Sequence, residues 1–382
     1  MVHDYLNQYG GGERVLEALM EIFPEAPVYT LLHDQERTGG RFSGRVIKTS
    51  FLDFPFARKN HRLFIPLMPF AARSLNLKND YELIISDTAG FAKGIKYSPS
   101  TRHISYIHTP LRYAWETDYL NFKFSRLLGG QAIFNFQFWK HFFKPVLNYL
   151  KKWDYRAAQK PDILTANSEF ISGKIKQYYH RDAKVLYPPV DVSKFYFETK
   201  SKLQNPNNKY YLAVGRLLHY KKFDLIIDAF AESQMANNRL LIVGSGPEYD
   251  NLKFKIKNLR LNNVELLPFV NDENELRKLY NGAQALIFPQ VEDFGLVAAE
   301  AQACGTPVIA YGVGGAVEII SDPGTGVLFH EQTPKSLIQA VEICQKRRFN
   351  RAAISRSAQR FSKDKFKKGI LTLLGSLGYT FR

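Results

Sequence analysis

Five segments follow one another without a break near the end of this chain. They are an apolar run, Ala285-Leu286-Ile287-Phe288; a loop carrying Glu292-Asp293-Phe294-Gly295; a helical stretch through Ala303; the turn Cys304-Gly305-Thr306-Pro307; and a second apolar run, Val308-Ile309-Ala310. Two short apolar strands joined through a helix pair in parallel, so the segment folds as one strand–helix–strand unit of an α/β sheet. The rhythm recurs through the back half, with strands near Tyr211, Leu240 and Val264. In the front half, Leu83–Ser86, Ile104–Ile107 and Ile163–Ala166 read as strands. A chain of 382 residues exceeds one ordinary core and fits two such domains. The rigid stretch Tyr187-Pro188-Pro189-Val190 and the polar linker from Ser201 to Lys209 place the boundary, giving domains 1–190 and 191–360.

The same segment suggests a ligand. A helix that starts beside Gly295 presents the unpaired N–H groups of Leu296 and Val297, a seat for phosphate. Glu300 lies one turn further on, and helical side chains lean toward the N-terminus, so its carboxylate reaches the same opening. Glu292 faces that opening from the loop. Taken alone, two glutamates on a surface helix are as well explained by solvation. Upstream, however, the buried run Tyr211–Val214 leads into Gly215-Arg216 and Lys221. That places two cations at the carboxyl end of a parallel strand, where open α/β sheets bind ligands. Such a pair neutralises a diphosphate and stabilises it as a leaving group.

Together these segments resemble the retaining GT-B glycosyltransferases of family 4, the group 1 glycosyltransferases. The resemblance rests on Val214-Gly215-Arg216 with Lys221, on Ile242-Val243-Gly244-Ser245-Gly246-Pro247, and on the two glutamates eight positions apart followed by Ala303–Val308. It extends over nearly the whole chain. His3-Asp4-Tyr5-Leu6 with Gly10–Arg14, Tyr106–Trp115 and Leu186–Asp191 are similar to the branch holding bacterial mannosyltransferases of O-antigen and exopolysaccharide assembly. The implied fold is two Rossmann-like domains facing across a cleft, with the terminal helix, 361–382, crossing back to the first domain. The implied reaction moves a hexose, mannose from GDP-mannose, from a nucleotide diphosphate sugar to a hydroxyl of a saccharide or lipid-linked saccharide, with retention of configuration and no metal or other cofactor.

The resemblance also assigns residues. Arg216 and Lys221 hold the diphosphate, Glu292 orients sugar hydroxyls and His108, at a strand's carboxyl end, meets the transferred sugar. Gly215, Phe294, Gly295, Leu296, Val297 and Glu300 bind the donor, with Glu300 on the ribose. The Gly10–Gly12 loop, through Gly11 and Gly12, approaches the phosphate or acceptor closely, and Arg112 and Trp115 shape the acceptor pocket. Family members usually carry several apolar residues before the His-Asp-Tyr segment, where only Met1-Val2 stand here. The resemblance therefore implies that either the start is clipped or misassigned, or the central first strand is largely missing. A UDP-sugar-dependent transferase of the same family and a sugar-nucleotide epimerase of the same fold remain alternatives.

The formal charge of +16 calls for an anionic partner. The basic residues match no nucleic-acid motif, so nucleic acid is not the expected partner. They mix with aromatics in Phe54–Phe64 and from Phe134 to Trp153, a composition that suits an anionic membrane surface. Only Cys304 and Cys344 occur, without metal-like spacing, which points to a reducing compartment. No apolar run nears the ~20 residues that span a bilayer, so the expected location is cytoplasmic and peripheral on the inner membrane face.

Overall fold

The first six residues organise the front half of the molecule. In a computed structural model that describes residues 1–77, 81–116, 136–199 and 209–379, Val2–Leu6 is itself a strand, β1, with both ends fully buried. The expected loss of the first strand is thereby corrected: His3, Asp4 and Tyr5 form the strand instead of following it. Polar His3 and Asp4 disguise it, because a period-2 apolar pattern is the usual signature of such an element. Both are buried and hydrogen-bonded.

Strands β2 (Val28–His33), β3 (Ile47–Thr49), β4 (Leu83–Thr88), β5 (Arg102–Ile107), β6 (Ile163–Ala166) and β7 (Lys184–Val185) complete a parallel sheet. Its order is β3-β2-β1-β4-β5-β6-β7. The order reverses between β1 and β4, where His3 lies beside Thr30 on one side and Asp87 on the other. Helix α1 (Gly11–Ile22) leaves β1 and buries Val15, Leu16, Leu19 and Met20, which spacings of three and four put on one face. Helices α2 (Arg112–Trp115), α3 (Phe136–Ala158) and α4 (Glu169–Tyr179) flank β6 in sequence. The core gathers Val2, Leu31, Ile84, Phe91, Ile95 and Leu150.

The second sheet consists of β8 (Tyr210–Val214), β9 (Arg239–Val243), β10 (Val264–Leu267), β11 (Ala285–Phe288), β12 (Val308–Tyr311) and β13 (Gly326–Phe329). All pair in parallel in the order β10-β9-β8-β11-β12-β13, reversing between β8 and β11. Helix α5 (Phe223–Ala231) covers it with Phe223, Ile226, Ile227 and Phe230. Helices α6 (Glu273–Gly282), α7 (Leu296–Ala303) and α8 (Lys363–Gly375) belong to the same half.

The chain divides into two compact units, Met1–Tyr187 and Pro188–Arg382. The last helix counts with the second unit, where Val190 bridges to Ser362 and its carbonyl accepts from the Lys363 N–H at 3.1 Å. The polar linker 201–208 lies outside the described residues, as do the side chains of the front part of the basic–aromatic segment, through Phe143.

Candidate active site

In the second unit the predicted residues collect around the reversal point between β8 and β11. After β8 the chain is pinned to the loop that follows β9: Leu217 N–H donates to the Ser245 carbonyl at 2.9 Å, and Glu248 N–H donates to the Leu217 carbonyl at 3.1 Å. Only glycine fits at 244, since a Cβ there would lie 2.0 Å from the Gly215 oxygen. Arg216 is exposed at the strand's end. Lys221 closes the single turn His219–Lys221, and its Nζ is ion-paired with Glu292 Oε1. The two side chains are 12% and 24% exposed, so the pair is mostly but not fully buried. Gln290 Nε2 also donates to Glu292 Oε1 at 3.3 Å, and Gly315 N–H holds the Glu292 carbonyl at 2.9 Å. Sequence reasoning gave Lys221 and Glu292 separate tasks. The structure brings them into one pair.

Helix α7 begins at the left-handed Gly295, φ 105°, where a Cβ would also meet Phe288 at 3.0 Å. The first-turn amides of Leu296 and Val297 have no acceptor within the helix, as any helix start dictates. Two of the expected donor-binding residues are enclosed by their neighbours. Phe294 is buried edge-on against Phe361, centroids 5.2 Å apart, so its side chain braces the loop. Glu300 does lie one turn into the helix, yet it is 2% exposed and its Oε2 accepts from the Tyr280 hydroxyl of α6 at 3.2 Å. Its carboxylate is therefore almost closed to solvent and held by a neighbouring helix. Tyr280, the partner that holds it there, is separated by twenty positions and carries no local signal.

The first unit builds a second constellation at its own reversal point. His108 follows β5, and its Nε2 is 2.5 Å from Asp87 Oδ1, at the end of β4. His3 Nδ1 is 2.8 Å from Asp87 Oδ2, so one fully buried carboxylate takes two imidazoles. Glu13, on α1, lies 3.7 Å from His3 Nε2, an ion-pair distance too long for a hydrogen bond. Gly11 and Gly12 are the first residues of α1, not a loop as expected. Their value is packing: a Cβ on Gly12 would sit 3.4 Å from His108 Nε2 and 3.5 Å from His3 Cε1.

Burial alone would lower the pKa of His3, but the contacts and charges of Asp87 and Glu13 raise it to about 10. His108 is raised for the same reason, with burial opposing and Asp87 outweighing it. Asp87, which burial would push up, is held below the usual carboxylate range by His108 and His3. Asp4 has a different task. Its carboxylate accepts from the amides of Ala89, Phe91 and Ala92 at 2.6, 2.8 and 2.6 Å, fixing the loop after β4.

Trp115 is fixed by two neighbours. Its Nε1 donates to Asp154 at 2.8 Å and its ring stacks on Tyr178 at 4.7 Å. Arg112 lies 4.0 Å from Glu116. Sequence reasoning missed Asp87, His3 and Glu13 as partners of His108. An aspartate ending a buried strand, one strand away from His3-Asp4, was the available signal.

Two parallel sheets, each reversing strand order, with a glycine-started helix and paired Lys and Glu at the reversal point of the second, define an α/β protein of the GT-B fold class. Residues 9–194 match the model of Glycosyltransferase Family 4 and residues 196–361 that of Glycosyl transferases group 1. Between them the two matches span most of the chain, which belongs to the group 1 glycosyltransferases. Among curated relatives, a D-inositol 3-phosphate glycosyltransferase of Segniliparus rotundus is 33% identical over 233 residues, 55% of this chain and 51% of that protein. The chain thus matches about half the length of such relatives. Sucrose-phosphate synthase of Thermosynechococcus elongatus has the same fold, with a TM-score of 0.71, 17% identity and 99% coverage of both chains. HepE of Anabaena, solved in complex with UDP, gives 0.69 at 20% identity, covering 98% of this chain and 100% of that one.

Proposed function

We propose that this protein is a retaining hexosyltransferase. It moves mannose from GDP-mannose to a hydroxyl of a saccharide or lipid-linked saccharide in bacterial surface polysaccharide synthesis. The observation that carries this reading is the Lys221–Glu292 pair beside the start of α7. Lysine, the adjacent Arg216 and the Leu296 and Val297 amides are four positive partners for a diphosphate. When the phosphate takes Lys221, Glu292 is released to accept hydrogen bonds from the sugar. The bond from the anomeric carbon to the phosphate oxygen then breaks while the acceptor oxygen bonds the same face. The departing phosphate oxygen takes the acceptor's proton, and the cations stabilise the charge left behind. His108 contacts the transferred sugar and Glu300 the ribose. The reaction needs no metal, because the cations serve the leaving group.

A location on the inner face of the cytoplasmic membrane fits the surface of the first unit. Phe51, Phe56, Leu63 and Phe70 are exposed near Arg58, Lys59 and Arg62 in sequence. Arg73, Lys152, Arg156 and Lys160 line an open cavity of about 580 Å³ together with Phe70 and Tyr149. Cations beside exposed aromatics suit anionic headgroups. No helix among the described residues is long and apolar enough to cross a membrane.

A UDP-sugar is the second reading for the donor, favoured by the UDP and UDP-glucose in the HepE structures. Calorimetry with GDP-mannose, UDP-glucose and ADP-glucose decides between them. GDP-mannose is expected to bind, and Lys221→Ala to weaken it. Binding of none of the three would refute the assignment.

A further inference from the structure

The first unit gathers cations at a place that the transfer chemistry does not use. In the second half of α3, Pro145, Tyr149, Lys152 and Arg156 recur at spacings of three and four, which put them on one helix face. Leu150, Asp154 and Ala158 are buried on the other side. The first face meets Phe70 and Arg73 of the helix Met68–Ser74 across the open cavity of about 580 Å³, which Lys160 also lines. Four cations thus share one cavity, with no carboxylate among the described residues that line it. Arg73 and Arg156 stand in the last turns of their helices, where the helix dipole favours a cation. Lys152, further back in α3, and Lys160, beyond its end, have no such reason. The Lys160 ammonium is held below the ordinary lysine value by desolvation first and by the charge of Arg73 second. Like charges that feel one another without a counterion are stabilised by an anion.

Position separates that anion from the reaction. The strands of this sheet are parallel, so their amino ends share one edge. Lys160 lies just before β6, and its carbonyl accepts from the hydroxyl of Tyr97, which lies just before β5. The cations therefore sit at the amino-terminal edge, opposite the carboxyl ends where open α/β sheets bind their substrates. The aromatics narrow the kind of anion. Phe70 and Tyr149 are exposed, with their rings stacked 6.4 Å apart, and Leu67, three positions before Phe70, is exposed as well. Single-stranded nucleic acid stacks its bases on open ring faces, and here each ring spends a face on the other. A free phosphate has no use for an apolar rim. Cations rimmed by aromatics match a lipid interface, where phosphate lies above the acyl boundary.

We propose that this cavity is a headgroup site, in which Arg73, Lys152, Arg156 and Lys160 take the phosphate of an anionic phospholipid while Phe70 and Tyr149 enter the interfacial layer. The inference rests on the membrane location proposed above and deepens it, because it names the residues that make the contact and the edge of the sheet that faces the lipid. Anchoring and transfer then occupy opposite edges of the first sheet.

The test is co-sedimentation of the full-length protein with mixed vesicles of phosphatidylglycerol and phosphatidylcholine, against vesicles of phosphatidylcholine alone. The double variant Lys152→Gln, Lys160→Gln is compared with Lys253→Gln, Lys257→Gln, which removes the same two charges from an exposed helix face of the second unit. The wild-type protein is expected to bind the mixed vesicles and to be released by salt. From the usual contribution of a basic residue at an anionic surface, the first pair should lower the partition coefficient about 30-fold and the second less than about 3-fold. Trp153 lines the cavity, so brominated lipid should quench the wild-type fluorescence, and Trp153→Phe should remove most of that quenching. Equal losses from the two pairs would mean that only the net charge of +16 matters, and would overturn the site. Mixed-vesicle binding that survives the Lys152 and Lys160 substitutions, or that leaves Trp153 unquenched, sinks this inference alone. A wild-type protein that ignores both kinds of vesicle sinks the membrane location itself. Tighter binding of single-stranded RNA, lost in the same double variant, would assign the face to nucleic acid and refute the headgroup site.

Discussion

Lys93 offers the sharpest test of how the first unit is held together. Its side chain is fully buried, with Nζ 2.6 Å from Asp154 Oδ1 and a second hydrogen bond to the Gly90 carbonyl. Asp154, equally buried, also accepts from Trp115 Nε1 at 2.8 Å and from the Tyr179 hydroxyl at 2.7 Å. One ion pair therefore ties the loop after β4 to α2, α3 and α4. Lys93→Met keeps the length and removes the charge, leaving a buried carboxylate with two neutral donors. Breaking such a pair from one side costs about 3–5 kcal/mol, whereas removing both charges costs much less. The two remaining donors soften the loss, so about 3 kcal/mol is expected for the single variant. Lys93→Met with Asp154→Asn should recover at least about 1 kcal/mol, since asparagine still accepts from Trp115 and Tyr179. All three tryptophans, Trp115, Trp139 and Trp153, lie in the first unit, so their fluorescence during denaturant unfolding reports on that unit alone. A loss below about 1 kcal/mol, or a double variant no more stable than the single, would refute the claim that an unpaired buried charge is what matters.

Further outcomes follow from the two sites. Lys221→Ala should lower turnover by about 100- to 1,000-fold, the usual cost of one charge-stabilising donor, while circular dichroism stays unchanged; near-normal rates would remove its leaving-group role. Turnover should survive an excess of EDTA, and its loss would overturn the metal-free mechanism. Glu300→Ala should weaken nucleotide binding in calorimetry; unchanged affinity would show that the buried carboxylate serves only Tyr280. The stability of the first unit should also depend on pH through His3. A raised folded pKa means its contribution is complete below the ordinary value near 6.5 and is lost as pH rises toward about 10. Denaturant midpoints by tryptophan fluorescence should fall across that window, and a flat profile would argue against a charged His3.

Strand–helix alternation was legible because it rests on period and on turn residues, both of which are local. Ala285–Phe288, the glycine-started helix and Val308–Tyr311 stand where the apolar pattern put them. β1 was not legible, because its polar residues are buried and satisfied by partners far along the chain, and hydropathy cannot see satisfaction. The same blindness explains the site. Arg216 at a strand's end and Lys221 just beyond it could be read from position. That Lys221 meets Glu292, that Trp115 serves Asp154, and that Glu300 is closed off by Tyr280 are all contacts between elements that the sequence keeps apart.

Such contacts also decide which charged residues can work as catalysts. Lys93 and Lys221 are the same residue type, each paired with one carboxylate, yet Lys93 is fully enclosed and Lys221 is partly open. A fully buried pair has a large desolvation cost for any exchange of partners, so it fixes structure. A pair that keeps some contact with water has a smaller desolvation cost for exchanging its carboxylate for another anion. Burial, more than residue identity, thus separates the lysine that holds the first unit together from the lysine proposed to hand its charge to a leaving group.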